Sequence, residues 1–93
     1  MYATIRQYEV KEIPDLAKRI ETGLIPLLRK APGFVAYYLV DAGDGKIASF
    51  GAFQSKAGAD ESNRLAADWV EKNIKQYITS PVQITAGEVT VNT

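Results

Sequence analysis

Arg6 and Tyr8 suggest chemistry more clearly than any other residues, because they lie in a segment, YATIRQYEV at residues 2–10, that is otherwise typical of a β-strand. Alternate residues of a strand project from the same face, so the two side chains would stand side by side. A guanidinium and a phenol could orient or deprotonate an anionic or phenolic ligand, and we predict both as candidate catalytic residues. An ion pair, or exposure at the rim of a sheet, is the more common role for such side chains.

Four further residues are candidates for the wall of a ligand pocket. Tyr37 and Tyr38 are adjacent in a predicted strand, so one would face the helices and the other the opposite side of the sheet. Trp69 and Asn73 lie one helical turn apart, where a large ring could line a cavity and a buried amide would need a polar partner. Core filling is the more common role of such a tryptophan. Asn63 lies away from the centre of the same stripe, and we expect it to be solvated or to cap the helix.

The sequence contains neither histidine nor cysteine. The usual general base, the usual ligand of zinc or heme iron and the usual partner of a serine nucleophile are therefore absent. The carboxylates, among them Asp15, Asp41, Asp44 and Asp60, show no spacing typical of a metal site. We predict that the protein binds no metal and needs no cofactor.

The charges of the sequence argue against two classes of partner. Acidic and basic residues balance at 11 each, and no basic stripe is present, so nucleic acid and anionic membranes are not expected as partners. The run KIASFGAF superficially resembles the aromatic strand of an RNA-recognition module, but Phe50 and Phe53 are three residues apart and would face opposite sides. The N-terminal residues carry no signal-peptide pattern and no stretch is apolar enough to span a membrane, so we expect a cytoplasmic protein.

Changes in hydrophobic period divide the chain into six elements. After the first strand, apolar residues recur at the three- and four-residue steps of a helix, with Pro14 in its first turn. Gly23 and Pro26 fall late in this helix, where proline removes a backbone donor, so we expect a kink or a break. A second helix is predicted from Asp60, although Ser55 is a suitable earlier cap. The predicted elements are a strand at 2–10, a helix at 13–28, a hairpin of strands at 34–41 and 46–54, a helix from 60 to about 78 and a strand at 82–91.

The order βαββαβ predicts one ferredoxin-like α+β domain over residues 1–93, in which four antiparallel strands carry both helices on one face. The first strand would lie in the sheet interior, where Arg6 and Tyr8 are unexpected. In FVAYYLV and IASFGAF both alternating sets of side chains are largely apolar, whereas a sheet with one wet face should alternate with polar residues. A second copy of the sheet is the simplest cover, so we predict a homodimer through the sheet face.

Three segments, LIPLLRKAPGFVAYYLV, FGAFQSKAGADESNRLAADWVEKN and TAGEV, resemble the antibiotic biosynthesis monooxygenase-like family, and within it a bacterial subgroup. The resemblance covers nearly the whole chain and implies a dimeric α/β barrel. That superfamily includes cofactor-free monooxygenases that form quinones, heme-degrading enzymes, isomerases and proteins of no known activity. In its heme-degrading members a histidine on the second helix binds iron, with a tryptophan nearby and an asparagine on the first strand. This chain has Trp69 but no histidine, and it has Arg6 and Gln7 on the strand, which disfavours heme degradation.

Two functions fit the sequence. One is binding of an aromatic or otherwise apolar metabolite between sheet and helices. The more specific version of this hypothesis is that the protein is a cofactor-free monooxygenase that oxidises the metabolite. The other is a non-catalytic dimerisation or ligand-binding domain, whose polar strand residues merely pair with one another. An open cavity with Arg6, or with Trp69 and Asn73, at its wall would favour the first, and apolar fillers would favour the second. The sequence leaves open whether the protein is an enzyme.

Overall fold

The chain folds as a four-stranded sheet with helices packed on one face. The structure, a computed structural model, describes residues 1–92. The antiparallel sheet and the βαββαβ order confirm the predicted ferredoxin-like α+β fold. The strands are β1 (Tyr2–Glu9), β2 (Phe34–Gly43), β3 (Lys46–Phe53) and β4 (Gln83–Glu88), and the helices are α1 (Ile13–Arg19), α2 (Ile25–Leu28) and α3 (Lys56–Asn73).

The first strand lies inside the sheet, as predicted. The strand order is β2-β3-β1-β4, and each neighbouring pair is antiparallel. Arg6 lies opposite Ser49 of β3 on one side and Ile84 of β4 on the other. Directly opposed residues share a face of the sheet, so the even-numbered residues of β1 and the odd-numbered residues of β3 point together toward the helices. An arginine is thereby fixed at the centre of the sheet.

The first helical segment is interrupted where a kink was predicted. Between α1 and α2, Ile20–Leu24 form a π-helical turn, and the Ile25 N–H donates to the carbonyl of Ile20. Pro26 has no N–H, so the usual helical hydrogen bond cannot form at that position. The apolar stripe nevertheless continues across the interruption. Its buried residues are Leu16, Ile20, Leu24 and Leu28.

The helix α3 begins and ends earlier than predicted. Ser55 caps it by accepting a hydrogen bond from the Gly58 N–H at 3.4 Å, so the helix starts directly after Ser55 and not at Asp60. Gly58 is required by packing, because a Cβ there would lie 2.0 Å from the Pro32 carbonyl oxygen. The helix ends at Asn73 and a short 3₁₀ turn follows, so the predicted extension to residue 78 is wrong. The last strand is also shorter than predicted.

The sheet face turned away from the helices is apolar and open. Tyr38 and Val40 of β2 are 63% and 51% exposed, and the Tyr38 ring lies 6.2 Å from the ring of Phe50 in β3. The prediction that β2 and β3 carry apolar side chains on both faces is therefore confirmed. Within residues 1–92, none of the helices has the length and apolar character that crossing a membrane requires.

Candidate functional site

A narrow cavity lies between the sheet and the helices. The empty space among its lining side chains is about 560 Å³, part of it open to solvent. Aliphatic residues of the helices and strands form most of the wall, and a smaller polar group comes from the sheet and from α3. Such an apolar wall with a few convergent polar groups is typical of a small-molecule site. The polar members are Thr4, Arg6, Tyr8, Tyr37, Ser49, Ser62 and Asn63.

Arg6 is a buried charge in this wall, with only 6% of the residue exposed. Its Nε donates a hydrogen bond to the Tyr8 hydroxyl at 3.0 Å, and its Nη1 donates to the backbone carbonyl and the Oδ1 of Asn63, both at 3.4 Å. Arg6 forms no ion pair with a carboxylate among residues 1–92, and it is not exposed at the rim. An arginine keeps its charge even when its partners are neutral, so this part of the cavity favours an oxygen that carries negative charge.

Asn63, which was expected to be solvated, closes the polar part of the cavity. Its Oδ1 accepts a hydrogen bond from Thr4 Oγ1 at 3.0 Å in addition to the longer one from Arg6. The position could have been found from the sequence, because residues 59, 63, 66, 70 and 74 form a helical stripe with steps of three and four. Choosing that stripe places Asn63, and not Asn73, toward the sheet.

The two adjacent tyrosines face opposite sides of the sheet, as predicted. Tyr37 lines the cavity, whereas Tyr38 stands on the open face. Burial raises the pKa of Tyr37 above its usual 10.0, and the nearby Ser49 hydroxyl offsets only part of that rise. Tyr37 therefore remains a neutral phenol near neutral pH. It can donate a hydrogen bond to a ligand but is not available as a phenolate base.

The structure does not bring Trp69 and Asn73 to the cavity, which corrects their predicted place in its wall. Trp69 packs against the first helical segment, so closely that a Cβ on Gly23 would lie 2.6 Å from its Cζ2. Asn73 is exposed, and its Nδ2 donates to the Trp69 carbonyl at 2.9 Å. The physical reason is a small rotation of α3, since the positions that line the cavity are Val70 and Ile74, one residue later along the chain.

No family model and no curated protein matches the sequence, but solved structures match its fold over nearly the whole length. A protein of unknown function from Nitrosomonas europaea shares 23% identity at a TM-score of 0.81, over 99% of this chain and 91% of its own. A cofactor-independent oxygenase from Streptomyces nogalater shares 10% identity at a TM-score of 0.75, over 98% and 94%. An antibiotic biosynthesis monooxygenase shares 20% identity at a TM-score of 0.69, over 98% and 100%. The chain has the antibiotic biosynthesis monooxygenase-like fold.

A dimeric ferredoxin-like protein from an uncultured marine organism also shares the fold of this chain, at 12% identity and a TM-score of 0.76 over 99% of this chain and 96% of its own. The fold suggested by the sequence segments is thereby confirmed. At sequence identities this low, the matches establish the fold of the backbone and not the function. The function must therefore be argued from the side chains of this chain. Within residues 1–92, no cluster of three or more His, Cys, Asp or Glu side chains is arranged to bind a metal ion.

Proposed function

We propose that the cavity binds a flat, largely apolar molecule with an acidic oxygen, and that the protein oxidises such a molecule with dioxygen without a cofactor. The observation that carries the proposal is the buried Arg6 guanidinium, which lines an apolar cavity and has no carboxylate partner among the described residues. Burying a charge without a counter-charge lowers the stability of the folded protein. A phenolate, enolate or carboxylate oxygen would provide that counter-charge.

The neighbours of Arg6 suit this role. Asn63 accepts from Arg6 and from Thr4, and so holds the guanidinium in place from the α3 side. Tyr8 accepts from the Arg6 Nε, which leaves its own O–H free to donate to the ligand oxygen. The neutral Tyr37 offers a second O–H donor in the same lining. The largely apolar remainder of the wall lowers the local dielectric constant and so strengthens each of these interactions.

The proposed reaction can be written for 1-naphthol as a model substrate. One naphthol and one dioxygen give 1,4-naphthoquinone and water, so one oxygen atom enters the ring and the other leaves in the water. Loss of the phenolic proton makes an anion that can pass an electron to dioxygen, and the two radicals then join through a new C–O bond. The resulting peroxide anion takes up one proton from water, which balances the proton lost at the start, and loss of water then forms the second carbonyl.

We assign the first of these steps to Arg6. The cavity lining contains no carboxylate and no imidazole, so the proton passes to water, and Arg6 favours its departure by stabilising the anion. Deprotonation therefore depends on the acidity of the substrate itself. The shared fold with a cofactor-independent oxygenase supports this chemistry by analogy.

Non-catalytic binding is the second candidate function. It is favoured by the same lack of a carboxylate or imidazole in the lining, because no side chain there is a strong proton acceptor at neutral pH. The cavity would then hold the same class of anionic ligand and release it unchanged.

The proposal includes a homodimer through the open face of the sheet. Tyr38, Val40 and Phe50 form a continuous apolar surface there, and contiguous exposed apolar surface is typical of an interface. A second copy would cover it with the same surface about a two-fold axis. The dimeric ferredoxin-like protein with this fold supports the arrangement.

Binding is tested with Arg6→Met against Arg64→Met as the matched control. Arg64 is an exposed arginine of α3 that pairs with Glu61 and lies outside the cavity lining. Calorimetric titration with 2-naphthoate should show equal affinity for the unmodified protein and the Arg64 variant. In the Arg6 variant the affinity should fall at least about tenfold, since hydrogen bonds to a charged group are lost. Equal binding by all three proteins would overturn the proposal.

Oxidation is tested separately with 1-naphthol and isotopically labelled dioxygen. Oxygen uptake with one labelled atom in the quinone supports the monooxygenase. Binding of 2-naphthoate without any oxygen uptake from 1-naphthol assigns the non-catalytic function.

A further inference from the structure

We infer that Gly51 is a specificity-determining residue, which leaves a thin slot above the sheet and so selects planar rings over saturated ones of the same size. The inference rests on the proposed function, because it concerns ligands held at the cavity beside Arg6. Gly51 lies on β3 and lines that cavity.

The register of the sheet places Gly51 in the floor of the cavity. It lies opposite Thr4 of β1 on one side and Tyr37 of β2 on the other, and all three residues line the cavity. Arg6 and Ser49 oppose each other two residues along the same strands, so the floor adjoins the buried charge. A ring lying over Gly51 can therefore place an oxygen substituent beside Arg6.

A side chain at Gly51 would project into this space. An added Cβ would lie 3.2 Å from Phe53 Cε1, 3.5 Å from Thr4 Cγ2 and 3.7 Å from Phe53 Cζ. Those nearest atoms belong to the sheet itself, and none belongs to α3. The methyl group would project from the helix-facing side of the sheet, where Gly51 lines the cavity. It would also press on the Phe53 ring edge, whose contact at 3.2 Å is tight.

The α3 side of the cavity includes two small residues. Ser62 and Ala66 are buried and line the cavity, and the Ser62 hydroxyl donates to the Ala59 carbonyl at 2.7 Å. Ser62 therefore presents no free donor to a ligand. Two small residues on α3 and a glycine on β3 favour a narrow space between helix and sheet, which an aromatic ring can fill with contacts on both faces, whereas a saturated ring is thicker and puckered.

Two probes with the same skeleton and the same anionic group test the slot. Calorimetric titration compares 2-naphthoate, which is planar, with decahydronaphthalene-2-carboxylate, which is saturated. We expect the unmodified protein to bind the planar probe at least about tenfold more tightly, the size of effect that a small steric change produces in an apolar pocket. Equal affinity for the two probes would overturn the slot.

Gly51→Ala is the variant that fills the slot, and Gly87→Ala is its matched control. Gly87 is also a strand glycine, but a Cβ there would meet nothing within 4 Å and the residue is not in the cavity lining. Gly51→Ala should weaken 2-naphthoate binding at least about tenfold, whereas the control should bind like the unmodified protein. Ala66→Val narrows the slot from the α3 side and should weaken binding too, which keeps the test informative if Gly51→Ala folds poorly.

Failure of the slot and failure of the proposed function give different results. If the folded Gly51 and Ala66 variants bind 2-naphthoate normally while Arg6→Met does not, the slot is wrong and the Arg6 site stands. If Arg6→Met binds normally, the proposed function itself fails. Circular dichroism and the thermal midpoint confirm that each variant is folded before its affinity is measured.

Discussion

The indole ring of Trp69 lies against the backbone of Gly23, where an added Cβ would come within 2.6 Å of the indole Cζ2 and 3.0 Å of its Nε1. The contact holds α3 against the π-helical turn Ile20–Leu24, where the regular helical hydrogen bonds are interrupted. Glycine is a poor helix former, so its presence here is explained by packing and not by propensity. The single tryptophan of the chain thus joins two helical segments instead of lining the cavity.

Replacing Gly23 by alanine should destabilise the fold even though alanine is the better helix former. The propensity gain is at most about 1 kcal/mol, whereas forcing a methyl group into a filled contact costs about 1–3 kcal/mol. We expect a lower free energy of unfolding in urea and a changed emission spectrum of Trp69 in the native state. Gly87→Ala, with open space around the added methyl, is the control. An unchanged midpoint and spectrum for Gly23→Ala would contradict the packing found here.

Strand residues were predicted more accurately than helix residues, and α3 shows why. A strand has only two faces, so the opposite directions of Tyr37 and Tyr38 follow from parity alone. A helix admits neighbouring stripes one residue apart, and the stripe through Asn73 has nearly as many apolar residues as the stripe through Asn63. Only the position of α3 on the sheet decides between them. That position depends on the close contact of Gly58 with a distant carbonyl, which no local pattern reveals.

Replacing Arg6 by methionine should raise the stability of the protein without ligand. Methionine has a similar length and needs no counter-charge, and even the replacement of a buried ion pair by apolar side chains is often neutral or stabilising by about 1–4 kcal/mol. Lost hydrogen bonds to Tyr8 and Asn63 offset part of this gain. Urea unfolding of ligand-free protein measures the change, with Arg64→Met as an exposed control that should leave the midpoint in place. A marked fall in stability would mean that Arg6 serves the fold and not a ligand.

Replacing Tyr77 by phenylalanine should change how the stability of the fold depends on pH in the acid range. The Tyr77 hydroxyl donates a hydrogen bond to Asp15, and this bond, helped by Arg19, lowers the pKa of Asp15 below its usual 3.8. A carboxyl whose pKa is lowered on folding adds stability above pH 3.8 and loses it as the pH falls through the lowered pKa.

The stability difference between the unmodified protein and Tyr77→Phe should therefore be constant near neutral pH and shrink toward pH 2–3, roughly below the unfolded pKa of Asp15. Thermal midpoints measured across this range provide the check, and Asp15→Asn should show the same loss of pH dependence. A difference that stays constant through the acid range would show that the bond does not involve an ionised Asp15.

Replacing Tyr38 by glutamate should prevent dimer formation if the open sheet face is the interface. Tyr38 is 63% exposed in the single chain and lies beside Phe50, so a carboxylate there is well solvated in a monomer. In a face-to-face dimer the same carboxylate would be buried against apolar side chains, at a cost of at least about 2 kcal/mol. We expect the unmodified protein to sediment as two chains and the variant as one chain at micromolar concentration.

The control for this experiment is Val82→Glu, which adds the same charge at another exposed apolar residue, ahead of β4. It should leave the dimer intact, so a general effect of net charge is separated from an effect at the interface. Because the monomer tolerates a charge at position 38, Tyr38→Glu should remain folded, and its circular dichroism should match that of the unmodified protein. If the unmodified protein sediments as one chain, no face of the sheet needs a partner, and the exposed Tyr38 beside the half-buried Phe50 must be explained in another way.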